Sequence, residues 1–320
     1  MKSRLLIERE EKGGFSPQLI LIRLLLRWGR WAHHFLNLRM ARYYFELAGK
    51  FFSLFGRGPA EKIKINGLKA EILGHRPEYK YLNQAERLIF YLHGGAFVSG
   101  SPQTHRHLIQ RIAREAQAVA LSIDYRLAPE FPYPAALEDS FLAYCWLIDQ
   151  KFESGRVALV GDSAGGGLAV ALVQRLVVEG LPLPACVCLL SPWVDLTCSS
   201  EAYLTRPRGD PMVSQKMALE RARLYAGKRD LTNPCVSPLY GSFWGFPPLF
   251  ILVGSDEVLY DDAYRLAQKA SQSGVKVQLE VWAGMFHVWP YLFPLLSEGR
   301  QACHRLGLFI RQAIPRRIIV

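Results

Sequence analysis

The stretch VALVGDSAGGGLAV, residues 157–170, determines the fold that we predict for this chain. It begins as an apolar, β-branched run typical of a buried strand and ends as an apolar run that can form a helix. Between the two lies Gly161-Asp-Ser163-Ala-Gly165, the pattern of a sharp turn that exposes a nucleophilic serine. Glycines flank the turn because strand and helix approach too closely for side chains. The alternative is an ordinary glycine-rich turn of a doubly wound protein.

Predicted strands and helices alternate along most of the chain. A hairpin with an Asn66-Gly67 turn opens the series, and the later strands are each followed by a helical segment or an irregular loop. The predicted strands cover residues 62–65, 68–73, 87–92, 118–123, 157–160, 185–190, 249–253 and 275–281. This order predicts an α/β fold with a mostly parallel sheet of about eight strands and helices on both faces. Ligands in such folds bind at the carboxyl ends of the strands.

The chain is basic, and the excess is concentrated near its start. The net charge is +11, and residues 1–60 hold eleven Lys and Arg against four Asp and Glu. No nucleic-acid-binding motif accompanies the charge, so we expect no nucleic-acid partner. Residues 15–55 predict two or three amphipathic helices outside the sheet. These helices can form a lid over the site, or they can rest on a membrane surface. We favour the lid, because helices of globular proteins normally bury their apolar face.

The cysteines and the amino terminus bear on the compartment. The six cysteines show no CxxC pair and no metal-ligand spacing, so we expect reduced thiols in a cytoplasmic protein. The first residues lack the apolar core of a signal peptide. The longest apolar run near the start is interrupted by Arg23 and is too short to span a bilayer.

A serine nucleophile needs a base, and the base needs a third group to orient it. In this topology the acid and then the histidine follow the serine along the chain. The strand over 249–253 ends near Asp256, and the last strand is followed by His287. We therefore predict Asp256 as the acid and His287 as the base. Glu257, Asp261 and Asp262 are the nearby competitors, but they fall later on the loop or on the helix after it.

The chemistry also needs donors for the oxyanion. The amide after the nucleophile, that of Ala164, can supply one donor. A loop after an earlier strand, His93-Gly94-Gly95-Ala96, can supply the others because glycines let backbone amides turn inward. The alternative is a tight Gly-Gly turn without a role in chemistry.

Six separated motifs make the chain resemble the hormone-sensitive-lipase-like carboxylesterases (bacterial family IV) of the α/β-hydrolase fold. They occur in family order and cover about residues 60–313. The motifs are HGGAF at 93–97, DYRLAPE at 124–130, GDSAGG at 161–166, NPCVSPL at 233–239, Ser255-Asp256 with Asp261, and GMFH at 284–287.

The resemblance implies the triad Ser163, Asp256 and His287, with the amides of Gly95, Ala96 and Ala164 as the oxyanion hole. It also implies a helical cap from residues 1–55 and 195–230 over a core of residues 56–194 and 231–320. Asp162 is expected to support the site without making bonds to the substrate. Alanine stands at 96 where the family usually has a third glycine, so the hole is expected to survive if that residue needs no left-handed conformation.

The expected activity is hydrolysis of short to medium acyl esters, with no metal or organic cofactor. A lipase or a deacetylase would use the same residues. A receptor on this fold, similar to the plant gibberellin receptors, is disfavoured because those proteins lack the triad histidine and His287 is present. A membrane-surface contact by the basic N-terminal helices and a homodimer are left open.

Overall fold

A nine-stranded sheet with helices on both faces forms the body of the protein. The computed structural model describes residues 5–10, 17–33, 36–56, 58–74, 85–206 and 209–317. The strands are β1 (Leu5–Glu10), β2 (Ala60–Ile65), β3 (Leu68–Leu73), β4 (Leu88–Leu92), β5 (Val119–Ile123), β6 (Val157–Asp162), β7 (Cys186–Leu190), β8 (Leu249–Gly254) and β9 (Val277–Trp282). Their spatial order is β1-β9-β8-β7-β6-β4-β5-β3-β2.

The sheet is parallel except at one end, where β3 pairs antiparallel with both β2 and β5. The helices are α1 (Pro17–His33), α2 (Leu38–Ser53), α3 (Pro102–Ala116), α4 (Ala135–Asp149), α5 (Ala164–Val178), α6 (Ala202–Thr205), α7 (Gln215–Ala226), α8 (Tyr260–Gln272) and α9 (Ser297–Ala313). The predicted α/β architecture is therefore confirmed, and the bounds of the predicted strands differ from the observed ones by at most two residues.

The ninth strand was not predicted. Residues 1–55 were assigned to the cap, but β1 lies parallel to β9 at the edge of the sheet, with Leu5 opposite Val277. The physical reason is the apolar run Leu5-Leu6-Ile7, which can cover an edge that would otherwise expose unpaired backbone groups. The sheet consequently has nine strands, and the two N-terminal helices begin only at Pro17.

Both faces of the sheet are buried, as alternate side chains of the central strand β6 show. Leu159 packs into the hydrophobic cluster on one face, and Val160 packs into the cluster on the other. Because neighbouring side chains of a strand point to opposite faces, helices must cover both. Within the described ranges, no helix is both long and apolar enough to cross a membrane. The parallel strands direct their carboxyl ends to one edge, where the candidate site lies.

Candidate active site

The turn between β6 and α5 holds Ser163 in a strained conformation. Its backbone has φ 52° and ψ −121°, a region that a residue with a side chain rarely adopts. A Cβ on Gly161 would lie 2.4 Å from the carbonyl oxygen of Gly165, and one on Gly165 would lie 2.1 Å from that of Leu92. Neither contact is sterically possible, so Gly161 is required where strand and helix meet, and Gly165 is required where α5 passes the end of β4. The turn therefore has the geometry that the sequence predicted.

The imidazole of His287 lies next to this serine. It follows β9, and its Nε2 is 2.9 Å from the Oγ of Ser163. The side chain is buried, with 6% of the residue exposed, whereas Ser163 is half-buried. The structure thus brings together the two residues that the sequence predicted as nucleophile and base.

The carboxylate on the other side of His287 belongs to Glu257. Its Oε2 is 2.9 Å from Nδ1 of His287, and the ring N–H donates to it. The prediction that Asp256 orients the histidine is therefore wrong on geometry. The loop after β8 turns Glu257 into the protein, where it is fully buried, and turns Asp256 toward solvent and α1.

Asp256 takes part in a different contact. Its Oδ2 accepts a 2.8 Å hydrogen bond from Nη2 of Arg23 on α1, and its Oδ1 accepts one from the hydroxyl of Ser255. About a quarter of its side chain is exposed. The residue therefore attaches an N-terminal helix to the loop that carries Glu257.

Two further donors fix the buried carboxylate of Glu257. The hydroxyl of Ser191 donates to Oε1 over 2.9 Å, and the amide of Gly254 donates to the same oxygen. Burial raises the pKa of Glu257, while its hydrogen bond and charge interaction with His287 and the Gly254 amide act to lower it. The Ser191 hydroxyl also accepts a hydrogen bond from the amide of Val288, so it links the acid to the loop of the histidine.

The pKa of His287 is raised above its usual value of 6.5. Burial acts to lower it, because burial disfavours the charged ring. The hydrogen bond to Glu257 and the charge of that carboxylate outweigh burial, and the charges of Asp210 and Asp162 add to the rise. The imidazole is thus a stronger base than a free histidine.

The remaining carboxylates near this loop have structural contacts. Asp262 accepts hydrogen bonds from the amides of Val194 and Asp195 over 2.9 and 2.8 Å. Asp261 accepts one from the amide of Ala202. Neither was predicted as the acid, and these partners agree with that choice.

The loop after β4 was predicted to supply oxyanion donors, and one of its amides is already engaged. The N–H of Gly94 donates to Oδ1 of Asp162 over 3.0 Å, so Gly94 is a correction to the predicted donor set. Ala96 has a φ of 55° and Phe97 one of 61°. The hole was expected to survive the alanine if position 96 needed no left-handed conformation, and the structure places Ala96 in that region, so the condition is not met. Alanine adopts that region here at a cost of about 1–2 kcal/mol.

Asp162 ties the oxyanion loop to the nucleophile turn. Besides Gly94, its Oδ1 accepts a 2.7 Å hydrogen bond from the hydroxyl of Tyr91. Its Oδ2 is 3.3 Å from Nε2 of His105. Although burial acts to raise it, the pKa of Asp162 is lowered, because the charge and hydrogen bond of His105 and the bond from Tyr91 outweigh burial. The carboxylate of Asp162 adjoins Ser163 in sequence, but its contact is with Gly94 of the oxyanion loop.

Three arginines attach the N-terminal helices to the loops around the site. Arg23 and Arg30 of α1 donate to the carbonyl oxygens of Gly284 and Asp210, each over 2.7 Å. Arg42 of α2 donates to the carbonyl oxygens of Val98 and Ala128 and to both carboxylate oxygens of Glu130. The two helices therefore lie over the carboxyl edge of the sheet.

The segment between β7 and β8 also packs against the site. Tyr225 on α7 stacks on Phe97, with ring centroids 3.7 Å apart and planes inclined by 10°. Phe97 directly follows Ala96 of the oxyanion loop. The helix α7 thus packs against the oxyanion loop.

Sequence reasoning missed Ser191 and passed over Glu257. A signal for both was present, because Ser191 follows β7 and Glu257 follows β8 at the edge where polar side chains gather. Asp256 and Glu257 are adjacent, so the sequence does not show which of them faces His287 unless the path of the loop is known.

Comparisons with known proteins agree with the fold. A family model described as the alpha/beta hydrolase fold matches residues 89–291. The acetyl-hydrolase of Streptomyces hygroscopicus is 40% identical over 298 residues, 93% of this chain and 97% of that protein. A crystal structure of an esterase from the bacterial hormone-sensitive lipase family has a TM-score of 0.87 at 39% identity, covering 94% of this chain and 100% of its own. The crystal structure of EstE5 soaked in p-nitrophenyl butyrate has a TM-score of 0.84 at 39% identity, and the match covers 93% of this chain and 99% of EstE5.

Proposed function

The chain belongs to the hormone-sensitive-lipase-like carboxylesterases of the α/β-hydrolase fold, and on that premise we propose that it cleaves short- to medium-chain esters with Ser163, His287 and Glu257 as its triad. It is a carboxylic ester hydrolase. The observation that carries the triad is the continuous hydrogen-bonded row from the Oγ of Ser163 through the imidazole to the buried carboxylate.

In the first half of the reaction, Ser163 Oγ attacks the ester carbonyl carbon while Nε2 of His287 accepts its proton. The ring becomes an imidazolium, and Glu257 stabilises that charge without taking the proton. The proton then passes to the leaving alkoxide, and an alcohol departs. The acyl group stays on Ser163 as an ester.

In the second half, water takes the place of the alcohol. His287 removes a proton from the water, the resulting hydroxide attacks the acyl carbon, and the acid is released as Ser163 regains its proton. No residue changes its net protonation over the cycle. The raised pKa of His287 suits its roles as general base and general acid, since such a group works best when its pKa lies near the operating pH.

The developing oxyanion is held by the amides of Gly95, Ala96 and Ala164. The Ala164 amide opens α5, so the positive end of that helix adds to the stabilisation. Gly94 acts indirectly, because its amide is held by Asp162 and so fixes the path of the loop.

The cap in this proposal consists of α1, α2 and the segment 195–230. Support comes from the arginine contacts of the two helices and from the stacking of Tyr225 on Phe97. The cytoplasmic location and the homodimer stay predictions.

The acyl preference is supported by the relatives. The acetyl-hydrolase relative and the p-nitrophenyl butyrate used with EstE5 both point to short acyl groups. A deacetylase would remove the same acetyl group from a different alcohol or amine, and it is the second candidate on the strength of that relative.

The test is hydrolysis of p-nitrophenyl esters from acetate to palmitate by the wild-type chain, Ser163→Ala and the matched control Ser273→Ala, which removes an exposed hydroxyl at the residue that follows α8. We expect the highest kcat/KM at acetate to butyrate, lost only in Ser163→Ala. Preference for long chains in emulsion would indicate a lipase. A folded protein that hydrolyses no ester, and whose Ser163 does not react with a fluorophosphonate, would contradict the proposal.

A further inference from the structure

The outer faces of α1 and α2 expose an unusual amount of apolar surface. In the part of the chain that the structure describes, twelve of the nineteen large hydrophobic residues that are exposed lie between positions 20 and 55. Single exposed apolar residues are ordinary on a soluble protein, whereas a concentration of this kind marks an interaction surface.

On α1 the exposed residues form one stripe. Ile20, Leu21, Leu24, Leu25 and Trp28 follow the three-to-four-residue period of a helix and are 50–70% exposed. The opposite face of the same helix is already packed. Leu19 and Ile22, together with Arg23, face the protein.

On α2 a second stripe continues beyond the end of the helix. Its members share the helical period and exposures of 41–77%: Met40, Tyr43, Tyr44, Leu47, Phe51, Leu54 and Phe55. The inner face of α2 is held against α3, where a Cβ on Gly49 would lie 2.5 Å from the Cα of Thr104. Each helix is thus anchored on one side and apolar on the other, so the outer stripes are not needed to attach the helices.

The charge around the stripes indicates what they face. Residues 17–56 contain six Arg and Lys but only one acidic residue, Glu46. Arg23, Arg30 and Arg42 point inward to the loops of the site, while Arg27, Arg39 and Lys50 are exposed. A second copy of this chain would bring the same positive charges together across the interface. An anionic surface would neutralise them.

We propose that the outer faces of α1 and α2 are a docking surface for an anionic lipid bilayer. Leu, Phe and Trp side chains enter the boundary between headgroups and acyl chains, and the exposed basic residues contact the lipid phosphates. Because both helices are attached to loops at the carboxyl edge of the sheet, docking holds the Ser163 edge toward the membrane. Binding needs no turnover, so it can be tested apart from the proposed esterase activity.

The test is sedimentation of Ser163→Ala full-length protein with vesicles of equal parts phosphatidylglycerol and phosphatidylcholine, and with vesicles of phosphatidylcholine alone. We expect binding to the anionic vesicles at low salt, weakened as salt shortens the screening length from about 10 Å at 0.1 M to about 3 Å at 1 M. The double variant Leu21→Ser/Leu25→Ser should lower the partition coefficient at least about tenfold.

The matched control is Leu142→Ser/Val178→Ser, which removes two exposed apolar residues from α4 and α5. It should bind as the parent does. In otherwise wild-type protein, both double variants should retain hydrolysis of a soluble p-nitrophenyl ester, which shows that they fold. Absence of binding to anionic vesicles, equal binding to neutral ones, or equal loss in the two double variants would overturn the proposal. So would a dimer that Leu21→Ser/Leu25→Ser dissociates and that binds no vesicles.

Discussion

Nη2 of Arg23 donates a 2.8 Å hydrogen bond to Oδ2 of Asp256, across 233 positions of the chain. The same guanidinium donates to the carbonyl oxygens of Gly284 and Gly209, so one side chain joins α1 to the loops of the acid and of the histidine. Asp256, the first carboxylate after β8, therefore attaches α1 to the loop, and the next residue, Glu257, faces His287.

Replacing Arg23 by Met should weaken the attachment of α1 without touching the triad. Hydrogen bonds from a charged group contribute about 1.5–3 kcal/mol each when buried, but Asp256 is partly exposed, so we expect a total loss of about 1–3 kcal/mol in the free energy of unfolding. Denaturant unfolding measures the change, with Arg39→Met on exposed α2 surface as the control. Equal stability of the two variants would show that the contact does not anchor the helix.

The raised pKa of His287 predicts the acid limb of the pH profile. Protonated imidazole cannot accept the serine proton, so kcat/KM rises with pH through the pKa of His287 in the free enzyme. Since Glu257 raises that pKa, the limb should lie above pH 6.5. In Glu257→Gln the limb should move to lower pH, because burial is then opposed only by the smaller effects of the Asp210 and Asp162 charges. A wild-type limb at or below 6.5 would contradict this account of the electrostatics.

Asp162 should affect the rate more than the binding of substrate. Asp162→Asn weakens the hold on the Gly94 amide and removes the charge beside His105, so the oxyanion loop loses its fixed position. Misplacing oxyanion donors costs up to about 10²–10³ in kcat, and we expect a fall of about tenfold or more with little change in KM. A purely structural role would instead lower stability while leaving kcat of the folded fraction intact, which active-site titration distinguishes.

Glycine at position 96 should stabilise the chain. Ala96 has a φ of 55°, where an L residue is strained by about 1–2 kcal/mol, while glycine costs about 0.5–1 kcal/mol more entropy on folding. The balance predicts that Ala96→Gly raises the free energy of unfolding by up to about 1.5 kcal/mol, with activity kept. Ala48→Gly within α2 serves as the opposite control and should lower it by about 1 kcal/mol. A destabilised Ala96→Gly would show that the strain is not relieved.

Much of the fold could be predicted because its signals are local. The alternation of apolar strands with helical segments marks β4 to β9 within a few residues, and the hairpin of β2 and β3 is marked by its Asn66-Gly67 turn. The edge strand β1 was missed because a short apolar run at a chain start carries no sign of the distant strand that it pairs with. Whether such a segment forms a strand depends on its pairing with a strand that is distant in sequence.

The sequence predicted which loops form the candidate site, but it did not predict every residue that each loop contributes. Ser163 and His287 follow from the elbow and from the last strand end, and the structure places them 2.9 Å apart. Which of two adjacent carboxylates turns inward depends on the path of the loop, and no spacing rule fixes that. Gly94 fails as a donor for a similar reason, since its partner Asp162 lies 68 positions away.

The central claim is that Glu257, and not its neighbour Asp256, orients His287. The most direct measurement is kcat/KM for p-nitrophenyl acetate with Glu257→Gln and Asp256→Asn, two adjacent carboxylates each exchanged for an amide of the same shape. Loss of the triad acid lowers kcat by about 10⁴ in related geometries, so Glu257→Gln should lose about 10³–10⁴ in rate while Asp256→Asn stays within about threefold of wild type. A large loss in Asp256→Asn with Glu257→Gln still active would contradict the account.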